Sequence, residues 1–393
     1  MIANRPTSME LQYIPKQSHL LTVFQQVIAA KNTEERKELS DELWNRIVDE
    51  KANPLIVEES AYFFVGGDEN TKEILVAGDW THWRPGGKFR RIEHTNLFYS
   101  IQNFAKTSRL QYKIIVDGEW VLDTANHRIA EEGFGVNSEF WMSDYIDESY
   151  MNFPFGNVPI GNVHSHILHS KEVNYDVTLY TYTPPREYQS LNSIPLLVVL
   201  DGEESLTIGK FNQIVDNLIF AKKIPPIMMV FVKPTNRHLE YIDNDNYCDF
   251  LKNEVVNFAQ DIAIKNSLSL STQLSDRAII GASLGGLIST NLVLKNPNVF
   301  GVCIAQSPAY WWNKGEIYKS PYLQNASDLS FVLHTGTVCD AKELTYFMKK
   351  RLIQHRVGNV VYREFAQGHT WGNWKTNFAT ALIDWFSIEN TLH

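Results

Sequence analysis

A serine with glycines two positions to either side, Gly281-Ala282-Ser283-Leu284-Gly285, follows the apolar run Ala278-Ile279-Ile280 and precedes a helix-forming stretch. A strand, a sharp turn and a helix in this order make a nucleophile elbow, whose strained backbone projects the serine hydroxyl. Larger residues at the glycine positions would collide with the strand and the helix. The helix that follows turns its positive N-terminal end towards the place where an oxyanion forms. Outside a strand–helix setting the same letters describe a plain Gly/Ser-rich turn.

A serine hydroxyl needs a base to attack a carbonyl, and histidine titrates near the working pH. In α/β-hydrolases the chain order is serine, acid, histidine. His369, in Gln367-Gly368-His369-Thr370-Trp371, falls after the last expected strand and before the last expected helix. The acid should follow the run Leu329–His334, where the loop offers Asp340 first and Glu343 second. Such an acid fixes the imidazole tautomer and stabilises the imidazolium; either carboxylate also suits a helix cap or first turn. The oxyanion needs two backbone N–H donors. Leu284, directly after the nucleophile, supplies one. Glu203, in the turn Leu200-Asp201-Gly202-Glu203 that leaves an earlier strand, is assigned the other, with Gly202 as its alternative.

The elements that must position these groups alternate strand and helix after about residue 150. Strands are expected near 177–182, 195–200, 227–232, 277–281, 300–305, 330–335 and 360–365. Helices are expected at 208–221, 247–265, 285–295, 341–355 and 375–388. Runs such as Pro195–Leu200 are apolar throughout, as in strands covered on both faces. This predicts an α/β domain with a mostly parallel sheet at 173–393. Upstream, 1–54 reads as a helical segment, 55–147 as a β-sandwich of short strands, and 148–172 as a linker. Asp117-Gly118 marks a tight hairpin.

Composition narrows the function classes. The chain has 393 residues, 44% of them hydrophobic, and a net charge of −9. No basic excess exists to neutralise a nucleic acid. No stretch approaches the length of a membrane span, and Met1–Lys16 lacks an apolar signal-peptide core. Cys248, Cys303 and Cys339 are odd in number and far apart. That disfavours a disulfide framework or zinc–thiolate site and fits a reducing, cytoplasmic compartment. His164, His166 and His169 lack the nearby carboxylates of a usual metal site, so neither metal nor cofactor is expected. Oligomeric state has no signature.

Five stretches carry a family resemblance: Leu200–Glu203, Arg237–Glu240, Gly281–Gly286, Gln306–Trp312, and Gly368-His369 with Trp374. On these, residues 173–390 resemble the "Putative esterase" family of α/β-hydrolases, and most closely the enterochelin (enterobactin) esterases. Residues 55–147 are similar to the early-set immunoglobulin-like domain that precedes them, through Val76–Trp83 and Tyr112–Asp123. The resemblance implies Ser283 as nucleophile and His369 as base, with some members working as a Ser–His dyad without a well-placed acid. It implies a small-molecule ester substrate, a catechol-bearing siderophore that is anionic when it holds iron. Arg237 is then the expected cation beside the substrate, and Trp311 and Trp312 its aromatic walls. A salt bridge of Arg237 to Glu240 or Asp243 is the structural alternative. Trp83 and Trp120 are expected in sandwich packing rather than against a sugar. Two competing functions remain: a carbohydrate esterase removing acetyl or feruloyl groups, with the sandwich holding a glycan, and a non-catalytic binding protein on a hydrolase fold.

Overall fold

The structure, a computed structural model, describes residues 13–151, 157–188, 193–242 and 244–389. The reading of Met1–Lys16 therefore falls mostly outside the described residues, as does Asp243. Chain contacts define two compact units, Met1–Ile146 with Ala366–Gly368, and Asp147–Phe365 with His369–His393.

The first unit opens with α1 (Tyr13–Ala29) and α2 (Thr33–Glu50). Asn32 caps α2 by accepting from the N–H groups of Glu34 and Glu35, two acids that also favour the positive helix end. Nine strands follow: β1 (Leu55–Val57), β2 (Ser60–Gly66), β3 (Ile74–Gly78), β4 (Arg90–Arg91), β5 (Leu97–Asn103), β6 (Arg109–Val116), β7 (Glu119–Val121), β8 (Ile129–Glu132) and β9 (Gly135–Trp141). They form one sheet in the order β1-β2-β5-β4 and another in the order β3-β6-β9-β8, with β7 paired to β6. Asp117 and Gly118, both at positive φ, make the expected two-residue hairpin between β6 and β7.

The helices are not a separate segment. Leu20, Phe24, Leu43 and Ile47 share one core with Leu55, Phe64 and Leu97 of the first sheet. The two sheets meet through Phe63, whose ring lies 5.1 Å from Tyr112 and 5.4 Å from Phe140. Trp80 joins that cluster. Trp120, expected in the packing, is instead 45% exposed, because it lies on the short added strand β7. Trp83 is half-buried and donates its indole N–H to Asp79 Oδ1 at 3.1 Å.

The second unit is built on one eight-stranded sheet, in the order β10-β11-β13-β12-β14-β15-β16-β17. Its strands are β10 (Asn162–His169), β11 (Asp176–Thr183), β12 (Leu196–Val199), β13 (Met228–Val232), β14 (Arg277–Ala282), β15 (Val302–Gln306), β16 (Ser330–Gly336) and β17 (Asn359–Phe365). The β10–β11 and β11–β13 pairs are antiparallel and the rest are parallel. β10 lies inside the stretch read as a linker. It is an edge strand of polar residues, with His166 Nε2 2.9 Å from Thr181 Oγ1 and His169 Nδ1 2.8 Å from Asp176 Oδ1. Those histidines thus have local partners on the sheet.

Nine helices cover the two faces among the described residues: α3 (Gly202–Thr207), α4 (Phe211–Phe220), α5 (Arg237–Tyr241), α6 (Asp245–Asp249), α7 (Val256–Lys265), α8 (Leu284–Lys295), α9 (Lys342–Gln354), α10 (Trp371–Thr376) and α11 (Phe378–Glu389). A π-helical turn, Phe250–Val255, joins α6 to α7. Strand side chains alternate between two cores. Leu196, Val198, Val230 and Ile279 join residues of α7, α8 and α9 on one face. Leu197, Val199, Phe231 and Ile280 join α4 and α11 on the other. Covering both faces is what makes these strands apolar throughout.

One buried acid sets a pH dependence for the first unit. Asp79 is 3% exposed, and its carboxylate accepts from Gln111 N–H at 2.9 Å and from Trp83. Burial, opposed by the Gln111 bond and reinforced by Glu132, pushes its pKa up to about 7 from an ordinary 3.8. A folded value above the unfolded one means that folding takes up a proton between these limits, so stability falls as pH rises towards 7. Denaturant unfolding followed in the first unit should lose about 2 to 3 kcal/mol between pH 5 and pH 8 from this group. Asp79→Asn should flatten that slope, whatever it does to absolute stability. An unchanged slope in the variant would remove Asp79 as its source.

Candidate active site

The parallel order of β12, β14 and β15 brings three chain crossings to one sheet edge. β14 delivers Ser283 at its C-terminal end, and α8 begins at the next residue. Ser283 has φ 56° and ψ −117°, a left-handed backbone that non-glycine residues seldom adopt. Its N–H donates to Gln306 O at 2.9 Å, and its carbonyl accepts from Ala309 N–H at 2.9 Å. Gly281 is required by the close approach of strand and helix: a Cβ there would lie 2.4 Å from the Gly285 backbone.

His369 lies in the loop between β17 and α10. Its Nε2 is 3.0 Å from Ser283 Oγ, and its Nδ1 is 2.6 Å from Asp340 Oδ1. The Asp340 side chain is fully buried. Its second oxygen accepts from Ser307 Oγ and from Gly336 N–H, each at 2.6 Å. A carboxylate facing Nδ1 places the ring proton on that nitrogen, so Nε2 presents its lone pair to the serine hydroxyl. Of the two acids in that loop, Asp340 reaches the imidazole. Glu343 is exposed on the first turn of α9. A hydroxyl, an imidazole and a buried carboxylate in this order can generate a nucleophile for acyl transfer.

Leu284 begins α8 after the serine loop, and Glu203 is the second residue of α3 after the β12 loop. Neither backbone N–H donates to a protein acceptor among the described residues. Gly202 lets α3 close on β13, since a Cβ there would come within 2.7 Å of the Phe231 carbonyl carbon and Val232 N.

Arg237 is committed to the protein, through Asp201 and not through Glu240. Its Nε and Nη2 donate to the two oxygens of Asp201 at 2.6 and 2.8 Å, and Nη2 also reaches Ala282 O at 3.1 Å. Burial works against the guanidinium charge, and the Asp201 carboxylate offsets this, so its pKa lies above the ordinary value. Glu240, the alternative partner proposed from sequence, instead accepts from Tyr175 OH and from the Thr235 and Asn236 N–H groups. Arg237 therefore ties the β12 loop to the residue before the nucleophile, with 37% of its side chain still exposed.

In the run after β15, Tyr310 is buried and bonded to Thr290 of α8 at 2.7 Å. That root leaves Trp311 56% exposed and sets Trp312 edge-on to His238 at 5.6 Å. Sequence reasoning missed the partners of the acid and the loop. Ser307 holds Asp340, and Gln306 Nε2 donates to Trp374 O at 2.9 Å, linking β15 to the helix after His369. Their position at and just after the end of the strand beside β14 was the available signal. Among the described residues no group of three or more His, Cys, Asp or Glu side chains is placed to hold a metal.

Residues 170–385 match the family model described as "Putative esterase". "Uncharacterized protein YjcH" of Bacillus subtilis is 26% identical over 54% of this chain and 92% of its own length. The Iron(III) enterobactin esterase of Escherichia coli is 25% identical over 48% of this chain, and the match spans about half, 49%, of that protein. The crystal structure of Ferric Enterobactin Esterase from Salmonella typhimurium superposes with a TM-score of 0.73 at 16% identity, covering 88% of this chain and all, 100%, of that one. The sheet order and this likeness give the second unit an α/β-hydrolase-like fold. With more than half its length matched, the chain belongs to the family described as "Putative esterase".

Proposed function

We propose that this chain is a serine esterase that hydrolyses carboxylic esters through an acyl-enzyme. The observation that carries the reading is the continuous relay from Ser283 Oγ to His369 at 3.0 Å and on to Asp340 at 2.6 Å. Ser283 Oγ attacks the ester carbonyl carbon while its proton passes to His369 Nε2. The Leu284 and Glu203 N–H groups receive the oxyanion. His369 then returns the proton to the leaving alcohol oxygen as the C–O bond breaks. In the second half, His369 takes a proton from water, the resulting hydroxide attacks the acyl carbon, and the bond from that carbon to Ser283 Oγ breaks to release the carboxylic acid as His369 returns the proton to Oγ. Asp340 stabilises the imidazolium formed in each half.

For substrate, the reading is an enterobactin-type trilactone of catechol-bearing serines. Support comes from family membership, from the likeness to a protein named Iron(III) enterobactin esterase, and from the exposed indole of Trp311. The first unit is read as an early-set immunoglobulin-like sandwich, on the strength of its two antiparallel sheets. Three free cysteines fit a cytoplasmic setting; among the described residues no helix is long and apolar enough to cross a membrane.

Ser283→Ala and His369→Ala should each cut kcat on a p-nitrophenyl ester by about 10³-fold or more, because residues of one relay act as a unit. Asp340→Asn should lower kcat with little change in KM, since the acid acts on the imidazole and not on bound substrate. Ser283→Ala should also abolish fluorophosphonate labelling. Near-normal turnover in the serine or histidine variant would end the serine-esterase reading.

The substrate class has its own check. Side-by-side rates on enterobactin, feruloyl esters and acetylated sugars should favour enterobactin in kcat/KM. Trp311→Ala should reduce that figure about tenfold for enterobactin, from lost aromatic contact, and leave the acetyl ester unaffected. A preference for acetylated sugars would move the assignment to a carbohydrate esterase.

A further inference from the structure

The first unit carries a recess of about 520 Å³ that plays no part in the chemistry above. Lys72, Lys88, Arg90 and Arg91 line it, over Phe89 and Phe98. No carboxylate is among its lining residues, in a chain whose net charge is −9. Four cations gathered around one hollow on an acidic protein call for an anionic occupant.

Neighbouring acids neutralise the cluster only in part. Glu73 pairs with Lys88 at 3.1 Å. Asp68 lies close enough to Arg91 to feel its charge, but its Oδ1 is occupied by the Asn70 and Thr71 N–H groups and the Thr71 hydroxyl. The side chains of Lys72 and Arg90 have no hydrogen-bond or ion-pair partner among the described residues, although the Lys72 N–H donates to Asp117 Oδ1 at 3.0 Å. With Glu73, Asp68 and Asp117, whose carboxylate accepts from the Lys72 and Glu73 N–H groups, set against the four cations, the recess keeps a small excess of positive charge.

The recess also has one fixed donor. Arg91 Nε donates to Thr95 O at 2.9 Å, and its Nη2 donates to Asp68 O at 2.6 Å and Asn96 Oδ1 at 2.8 Å. All three acceptors are neutral, so the guanidinium is held in place with its charge intact. Its carbon sits 5.0 Å from the Phe98 ring centroid. Phe89 and Phe98 are 3% and 4% exposed and give the hollow a low-dielectric floor, against which charge interactions are less screened. A neutral glycan gains nothing from the charge of such a lining.

We propose that this recess binds a small organic polyanion bearing two or more phosphate or carboxylate groups. Its volume exceeds what a single inorganic phosphate fills, and guanidinium forks bind both group types in paired hydrogen bonds. The two free cations, Lys72 and Arg90, take one anionic group and the anchored Arg91 another. A polymeric nucleic acid is disfavoured, since it would meet an acidic surface beyond one basic hollow.

Calorimetry on the full chain with pyrophosphate and with citrate tests this. Saturable binding of at least one probe is expected at low salt, weakened about tenfold when NaCl rises from about 20 to 300 mM. Which probe binds distinguishes a phosphate ligand from a carboxylate one. The double variant Lys72→Ala, Arg90→Ala should weaken binding a further order of magnitude, with p-nitrophenyl ester turnover and the melting curve unchanged. No saturable binding of either probe at millimolar concentration, or binding that the double variant leaves intact, would overturn the proposal.

Discussion

The backbone of Ser283 is the constraint on which the rest of the site depends. Its φ of 56° costs roughly 1–3 kcal/mol in isolation. Such a conformation persists only where the surroundings over-determine it. Here β15 accepts its N–H through Gln306, the loop after β15 donates to its carbonyl through Ala309, and Arg237 holds the preceding carbonyl at Ala282. Those partners come from two separate segments, the end of β15 with its following loop and α5, and meet only when the parallel sheet is complete. The projecting hydroxyl is therefore a product of the whole α/β unit, and an isolated Gly-x-Ser-x-Gly peptide has no reason to adopt it.

The same economy explains Arg237. A cation beside a nucleophile suggests an anionic substrate, which is what the family resemblance implies. In the structure the guanidinium serves Asp201, a carboxylate only 6% exposed that would be costly to bury unpaired. Asp201 itself takes φ 51° at the start of the β12 loop, where Glu203 presents its N–H. Arg237 thus joins the two backbone segments assigned to the oxyanion. Removing it would leave a buried anion and loosen both donors together.

What the sequence reveals follows from how local each feature is. The serine turn is legible because strand, turn and helix are contiguous. His369 is legible because chain order limits where a base can stand. Position after the strand favours Asp340 over Glu343, three residues on, but their own neighbourhood does not show which reaches the imidazole. The deciding groups, Ser307 and Gly336, approach Asp340 through space. β10 escaped notice because an edge strand carries polar residues and lacks the apolar run that marked β12 and β13. The expected helix at 208–221 begins only at Phe211, as α4, because Lys210 takes φ 52° just before it. Trp120 was placed inside on aromatic character alone, and pairing on one side only leaves it exposed.

The two units distribute their charge in different ways. Around Ser283 the ion pairs are closed: Arg237 with Asp201, and Lys233 with Glu203. Closed pairs favour fixed geometry, which acyl transfer requires, since donors must already point where charge develops. In the recess of the first unit Lys72 and Arg90 stay open to solvent, which suits reversible capture of an anion and contributes little to holding a fold. That contrast separates a place built for chemistry from a place built for binding. It also means that salt, which screens open charges far more than closed ones, should act on the recess while leaving the relay of Ser283, His369 and Asp340 largely untouched.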